Sequence, residues 1–326
     1  MDVETRSRQK KLIFSPDIAY DVVIIGAGSA GISCALMAHE RGLRALLIEE
    51  AVLCSNLYNV PSIEDCPFLD FGRISGHEVA AYFVKRFLAL DLEILYEKVV
   101  AIHEVTGRLK HVLTSQRTVY ARSVVVACGM SNKKVIIRNS QKFYGRGVSY
   151  CAPCDIAFYL KQPVMITGLG ENLVKAALYL SGYAKHVYVV TRSSLIQGAA
   201  TLVRDVMKEP KITFYLESEV ERLDGKEKLE SIRIYKNGDH SESVLDVSVL
   251  FIYEAIEGNA DFLDSSPGIE VTDELLVRTG VTMQTGVAGI YAIGGVREGG
   301  GKRLIVAVSD ALVAVNHIQN YLYFLK

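Results

Sequence analysis

Between Val22 and Ala38 the chain carries no charged side chain, and the pattern inside that stretch changes halfway. Val22 to Ile25 is an unbroken apolar run, the mark of a parallel strand covered on both faces. It meets Gly26-Ala27-Gly28-Ser29-Ala30-Gly31, whose three glycines at fixed spacing suit a strand-turn-helix better than a membrane span. Leu43 to Ile48 predicts a second strand, ending on Glu49 and Glu50. A second unit of this kind starts with a strand over Pro163 to Thr167 and turns through Gly168-Leu169-Gly170. It goes on through a helix over Leu173 to Leu180 to a strand over Val187 to Val190. Further strands are predicted at Val119 to Ala127, Ile212 to Leu216, Ser231 to Tyr235, Val247 to Tyr253 and Gly289 to Ile293. An apolar helix over Leu304 to Ile318 closes the pattern.

Two βαβ units in tandem, followed by a tail that returns to the first pattern, predict an α/β protein with two Rossmann-like nucleotide-binding domains. The second is expected to be inserted into the first: residues 1–133 with 254–326 form one discontinuous domain, and 134–253 the other. The length of 326 residues suits two domains. Composition narrows the function classes. Lys and Arg number 36 against 37 Asp and Glu, which excludes a polybasic nucleic-acid binder and gives no general attraction to anionic membranes. Six cysteines are too few for a disulfide scaffold at this length. The N-terminal stretch mixes basic residues with Asp2 and Glu4 and lacks the apolar core of a secretory signal, so a soluble, cytoplasmic protein is expected.

The first glycine loop has chemistry in each position. Gly26 allows the tight turn, Gly28 lets backbone approach a pyrophosphate, and Gly31 lets helix and strand pack closely. The helix N-terminus, with Ser29 and Ala30 in its first turn, offers N–H groups and the positive end of the helix dipole. Glu49, with Glu50 beside it, is placed to accept hydrogen bonds from an adenosine ribose. The sharpest feature is Cys151-Ala152-Pro153-Cys154-Asp155. Two thiols so spaced can close a disulfide, a helix N-terminus at the first favours its thiolate, and Asp155 is a proton donor and acceptor for thiol exchange. A metal reading needs two more ligands, and the seven histidines are scattered without pairing, so no metal is assigned. Cys34, Cys54, Cys66 and Cys128 read as small core residues, His39 and His317 as hydrogen-bonded core histidines, and Glu171 and Asn172 as caps of the second helix. Lys133, Lys134 and Arg138 are either solvated charges or a face for a protein partner.

These features together resemble the low-molecular-weight thioredoxin reductase family, over about Asp21 to Ile318. The resemblance rests on the first glycine loop, on Ser149-Tyr150-Cys151-Ala152-Pro153-Cys154-Asp155 ahead of the second one, and on Tyr291-Ala292-Ile293-Gly294-Gly295 before a loop and terminal helix. The segment PSIEDCPF echoes the family's flavin-flanking VENYPGF, ISGHE its ISGPE, and Ala127-Cys128-Gly129 its ATG turn. What this implies is a homodimer, FAD in the first domain, and a redox disulfide from Cys151 and Cys154. Cys154 would face the flavin, Cys151 would attack a thioredoxin disulfide, and Asp155 would shuttle the proton.

Two departures qualify the resemblance. The family's NADPH domain has a GGGDSA-like loop and an HRRxxxR clamp for the 2′-phosphate. Here the loop reads GLGENL and the clamp keeps only Arg192. Each charge-assisted contact is worth about 1.5–3 kcal/mol, so losing two of them argues against NADPH. In addition, Leu173 and Val174 crowd a loop that wants small residues. The family's AxGD motif, whose Asp holds the flavin ribityl chain, is replaced by Gly294-Gly295, with Lys302 and Arg303 or the glycine loop as compensating groups. Tyr323, in an aromatic tail, is expected either to stack on the isoalloxazine or to pack at an interface. The sequence is thus most like the NADPH-independent branch, the ferredoxin-dependent flavin and deeply rooted thioredoxin reductases. Thioredoxin is its expected partner and ferredoxin its expected donor. An NADPH-dependent reductase with a divergent clamp, a flavin dithiol oxidase using oxygen, and a flavin-binding redox sensor remain alternatives.

Overall fold

A computed structural model describes residues 15, 19–60, 63, 66, 74–105, 109–132, 137–253, 256–264, 266–301 and 303–325. The chain forms two compact units, residues 1–131 with 257–326, and residues 132–256.

In the first unit, β1 (Tyr20–Ile25) is followed by α1 (Ser29–Glu40) and β2 (Ala45–Ile48). α2 (Gly76–Ala89) and β3 (Glu93–Leu95) come next, then β4 (Val99–Val105), β5 (Leu109–Thr114) and β6 (Thr118–Val126). The central strands run β3-β2-β1-β6 in parallel. β6 divides its edge: Thr118 to Ala121 pairs antiparallel with β5, and Val124 to Val126 pairs parallel with β17 (Ile290–Ala292). Layers cover both faces of the sheet, which is why Val22 to Ile25 can be apolar without alternation. On one face α1 packs along the terminal helix α6 (Leu304–Phe324), with Ile32, Ala35, Ala38, Ala311, Ala314 and Ile318 in the shared core.

The helix α2 was not singled out in the sequence, although Ser75 and Glu78 spell a capping box. Ser75 Oγ accepts the Glu78 N–H at 3.2 Å, and Glu78 Oε2 accepts the Ser75 N–H at 2.8 Å.

The chain leaves and re-enters the first unit at β7 (Met130–Asn132) and β16 (Ile256–Gly258). The second unit contains β8 (Val148–Ser149), the single-turn helix α3 (Ala152–Asp155), β9 (Pro163–Gly168), α4 (Glu171–Ser181), β10 (His186–Val190), α5 (Ala200–Lys208) and β11 (Ile212–Tyr215). An antiparallel meander of β12 (Ser218–Asp224), β13 (Ser231–Lys236) and β14 (Glu242–Asp246) precedes β15 (Val249–Tyr253). The parallel sheet has the order β11-β10-β9-β15-β8. Both units are thus Rossmann-like α/β folds. Among the described residues no helix is long and apolar enough to cross a membrane.

Candidate active site: a nucleotide cradle and a redox-active cysteine turn

The cradle of the first unit sits at the carboxyl ends of β1, β6 and β17, where open α/β sheets take ligands. Gly26 has φ +101°, and a Cβ there would meet the Ala127 carbonyl oxygen at 2.6 Å. A Cβ on Gly31 would fall on the Gly26 carbonyl oxygen, so only glycine lets α1 start this close to β1. Gly28 differs: its φ of −74° suits any residue, and a Cβ there would meet nothing within 4 Å. It is the N-cap of α1 and has no side-chain cap, so the N–H groups that open this helix of 12 residues, from Ser29, Ala30 and Gly31, have no side-chain acceptor from the cap.

Glu49, just past β2, accepts the Ala27 N–H at 2.7 Å through Oε2 and the Ala51 N–H at 3.0 Å through Oε1. Each carboxylate oxygen keeps capacity for another donor such as a ribose hydroxyl. Glu50 is not part of this arrangement; it is exposed and lies 4.0 Å from Lys98.

Residues remote in sequence complete the cradle. Gly129 has φ +68° beside the Asn56 amide, and Asn56 Nδ2 donates to the Met130 carbonyl at 2.9 Å. A Cβ on Gly295 would meet Met130 Cγ at 3.1 Å, and one on Gly294 would meet the Ala30 Cβ at 2.8 Å. The loops that carry Gly28, Gly129 and Gly295 therefore converge. Arg303 is the exposed N-cap of α6, and Lys302 lies outside the described residues. Asn56, Arg297 and Asp310 belong to this neighbourhood and escaped the sequence reading, because nothing local distinguishes them.

A FAD molecule needs a phosphate approach, a ribose acceptor and a surrounding loop, and the cradle supplies all three. Tyr323 does not join it. It sits 19 residues along α6 from Leu304, roughly 28 Å at the helical rise, 73% exposed and edge-on to Phe324.

Cys151 and Cys154 are joined as a disulfide, with Cα atoms 5.3 Å apart. The local chain explains the geometry. Cys151 is the extended N-cap of α3, Pro153 is in its first turn, and the Cys154 N–H donates to Cys151 Sγ at 3.2 Å. Ser149 Oγ accepts the Cys151 N–H at 3.0 Å, and the Tyr253 hydroxyl accepts the Ala152 N–H at 3.2 Å. Burial raises the Tyr253 phenol, so it stays protonated.

Asp155 donates its N–H to the Cys151 carbonyl at 3.3 Å and is half-buried. Burial first, and then the Asp155 charge, raise the neighbouring Tyr159 phenol. Cys154 is the exposed member of the pair, and Cys151 is half-buried. Because α3 is one turn long, the aimed N–H of Cys154, rather than an extended helix dipole, is what would stabilise a Cys151 thiolate. The other thiols are of a different kind: burial pushes Cys34, Cys54 and Cys128 up to about 12.

The second glycine loop is built differently from the first. Gly170, φ +80°, caps α4, but Leu173 stands where Gly31 stands in the first unit, and it is buried in the core with Ile166 and Ala177. Leu173 and Val174 are buried and line a shallow pocket together with Gly170, Thr191, Ser193, Leu195, Ile196, Gln197 and Phe214. No lysine, arginine or histidine lines it.

Glu171 opens α4. Its carboxylate accepts the Ala199 N–H at 3.1 Å and pairs with Lys175 at 3.0 Å. Arg192 and Arg138 are exposed, and Lys133 and Lys134 lie outside the described residues. His39 is exposed rather than packed in the core, whereas His317 Nδ1 lies 3.0 Å from the Tyr291 hydroxyl.

Two nucleotide-type α/β units and a Cys-x-x-Cys disulfide define a pyridine nucleotide-disulphide oxidoreductase, and residues 20–311 match that family. The chain belongs to it, and within it to the thioredoxin reductases: it is a flavoprotein oxidoreductase of the thioredoxin-disulfide reductase type. It is 30% identical over 304 residues to the thioredoxin reductase of Mycoplasma genitalium, covering 93% of this chain and 95% of that one. The crystal structure of Lactococcus lactis thioredoxin reductase is similar with a TM-score of 0.87 and 28% identity, covering 93% and 99% of the two chains. A ferredoxin-flavin thioredoxin reductase from Clostridium acetobutylicum is similar at 26% identity and a TM-score of 0.50, covering 94% and 99%.

Proposed function

We propose that this protein reduces the disulfide of a thioredoxin-type protein through Cys151 and Cys154, with FAD in the first unit and an electron donor other than NADPH. The observation that carries the reading is the Cys151–Cys154 disulfide at the head of α3, with Cys154 exposed and its N–H aimed at Cys151 Sγ. Residues 1–133 with 254–326 act as the FAD domain, and 134–253 as the carrier of the cysteines. Gly26 to Gly31, Glu49, Gly129 and Gly295 would hold FAD, which supplies a two-electron carrier when bound.

Two electrons and two protons delivered to the disulfide yield the Cys151 and Cys154 thiols. The Cys151 thiolate then attacks one sulfur of the partner disulfide, forming a mixed disulfide and expelling the partner's other thiolate, which takes up a proton. Attack by Cys154 on Cys151 Sγ releases the second partner thiol and restores the starting disulfide. Asp155 is the proton acceptor and donor in this exchange. The relatives named thioredoxin reductase support the partner assignment.

For the donor, the support is the pocket at the end of β10. It offers Leu173, Val174, Leu195, Ile196 and Phe214 with no cationic side chain, and a 2′-phosphate dianion needs paired charges there. Reduced ferredoxin is the donor we assign, in keeping with the Clostridium acetobutylicum neighbour.

The test is an anaerobic titration of the flavin-loaded protein with NADPH, NADH and reduced ferredoxin, following flavin bleaching, then addition of oxidised thioredoxin. Bleaching by ferredoxin alone, with thioredoxin thiols appearing afterwards, is the expected result. Rapid stoichiometric bleaching by NADPH overturns the donor assignment. Oxygen consumption with a small dithiol, and no thioredoxin reduction, overturns the partner assignment in favour of a dithiol oxidase.

A further inference from the structure

The side chain at position 295 is missing where the family places an acidic group, yet the loop that follows is more tightly tied than its glycines suggest. Asp310, on the second turn of α6 and only 6% exposed in its side chain, forms a two-pronged ion pair with Arg297. Nε donates to Oδ2 at 2.7 Å and Nη2 to Oδ1 at 2.9 Å. The same Oδ2 accepts the Gly294 N–H at 2.9 Å.

From this anchor the loop closes on itself. Arg297 donates its backbone N–H to Gly294, Gly300 donates to Arg297, and Glu298 donates to Val277, at 3.3, 3.0 and 2.9 Å. Gly294, in the left-handed region at φ +69°, rests against Ala30 of the nucleotide loop and Ala307 of α6. Gly295 rests against Met130, next to Gly129. One buried carboxylate thus fixes the height at which the Gly294–Gly301 loop stands over two other loops of the cradle.

We infer that Asp310 and Arg297 are positioning residues for the cofactor. Through Gly294 they hold the glycine loop in a FAD-accepting shape and do by backbone placement what a side chain at position 295 would do by direct contact. The inference rests on the assignment of FAD to the first unit. An unpaired Arg297, only 17% exposed in its side chain, would pull the loop toward solvent, so removing the carboxylate costs more than one hydrogen bond.

The experiment uses the full-length wild-type protein and the variants Asp310→Asn, Asp310→Ala and Arg297→Lys. Each is stripped of flavin and titrated with FAD by fluorescence quenching, and the thermal midpoint is read with and without FAD. The expected result is a FAD Kd raised at least tenfold in Asp310→Asn and further in Asp310→Ala, with Arg297→Lys between wild type and Asp310→Asn. The shift in midpoint produced by saturating FAD shrinks in the same order. Kd values within twofold of wild type in all three variants overturn the inference. So does an equal fall of the apo and FAD-bound midpoints with no change in Kd, which marks the pair as structural only. If wild type itself fails to take up FAD, the assignment of the cofactor fails instead, and the two failures are told apart by that one sample.

Discussion

Gly26 and Gly28 stand two residues apart in the same loop, and adding one methyl group to each should have opposite consequences. In Gly26→Ala the new Cβ would lie 2.6 Å from the Ala127 carbonyl oxygen and 2.7 Å from the Cys128 Cα, where ordinary contact begins at 3.4 Å. All of the obstacles are backbone. The 127–128 peptide would have to retreat by about 0.8 Å while the N–H of Ala127, on the preceding peptide, holds the Ile25 carbonyl at 2.7 Å. Overpacking of this kind costs about 1–3 kcal/mol, and an L-residue in the left-handed region adds about 1–2 kcal/mol. The apoprotein should lose roughly 2–5 kcal/mol of stability, on the order of 10 °C in midpoint for a unit of this size.

Gly28→Ala meets open space at an ordinary φ, so the apoprotein should change by less than about 0.5 kcal/mol. Its methyl group instead stands where the backbone would approach a pyrophosphate, and FAD binding should weaken by tenfold or more, about 1.4 kcal/mol. Urea denaturation of the two flavin-stripped variants, paired with FAD titration of each, reads both quantities. An apo stability of Gly26→Ala equal to wild type would refute the packing argument. An unchanged FAD Kd in Gly28→Ala would remove this loop from the cofactor site.

Cys151→Ser and Cys154→Ser should each abolish thioredoxin reduction while leaving bleaching of the flavin by dithionite intact, measured by partner thiol release against flavin absorbance. Tyr253→Phe leaves the Ala152 N–H without its acceptor; a loss of about 1–3 kcal/mol is expected, read by denaturation of the oxidised protein. The Cys34 thiol is pushed up to about 12 by burial, so above the unfolded value of 9.0 the unfolded chain binds fewer protons than the folded one. Stability from this group is therefore complete below pH 9 and declines toward pH 12, by about 1.4 kcal/mol per pH unit. Denaturation midpoints at pH 8.5 and 10.5 should fall less steeply in Cys34→Ala than in wild type.

The α/β class was legible in the sequence because its signals are short-range. A buried parallel strand is an apolar run, and a glycine turn is three residues at fixed spacing, so Val22 to Ile25 and Pro163 to Thr167 announce β1 and β9 directly. The terminal helix was expected to stop at Ile318 and runs on to Phe324. The reason is tertiary: Tyr321 packs against Gly289, and its hydroxyl accepts from the buried Lys110 at 3.3 Å, neither of which lies near it in the chain. Helix α2 is legible in the same way: Ser75 and Glu78 mark its start, and Val79, Phe83, Val84 and Phe87 recur at helical spacing along its buried face.

The sequence by itself determined the residue types that carry the chemistry. The glycines of the first loop, the acid after β2 and the Cys-x-x-Cys pair are each local patterns with a local physical reason. It could not determine which distant groups support them. Tyr253 under the cysteine turn, Asn56 beside Gly129, and Arg297 with Asp310 over Gly294 come from positions 13 to 101 residues apart. Nor could it tell that the tail aromatic Tyr323 stands a helix length from the start of α6, or that Glu171 reaches the Ala199 N–H. Hydrogen bonds and ion pairs act over about 3 Å, and only the folded chain sets which groups come that close.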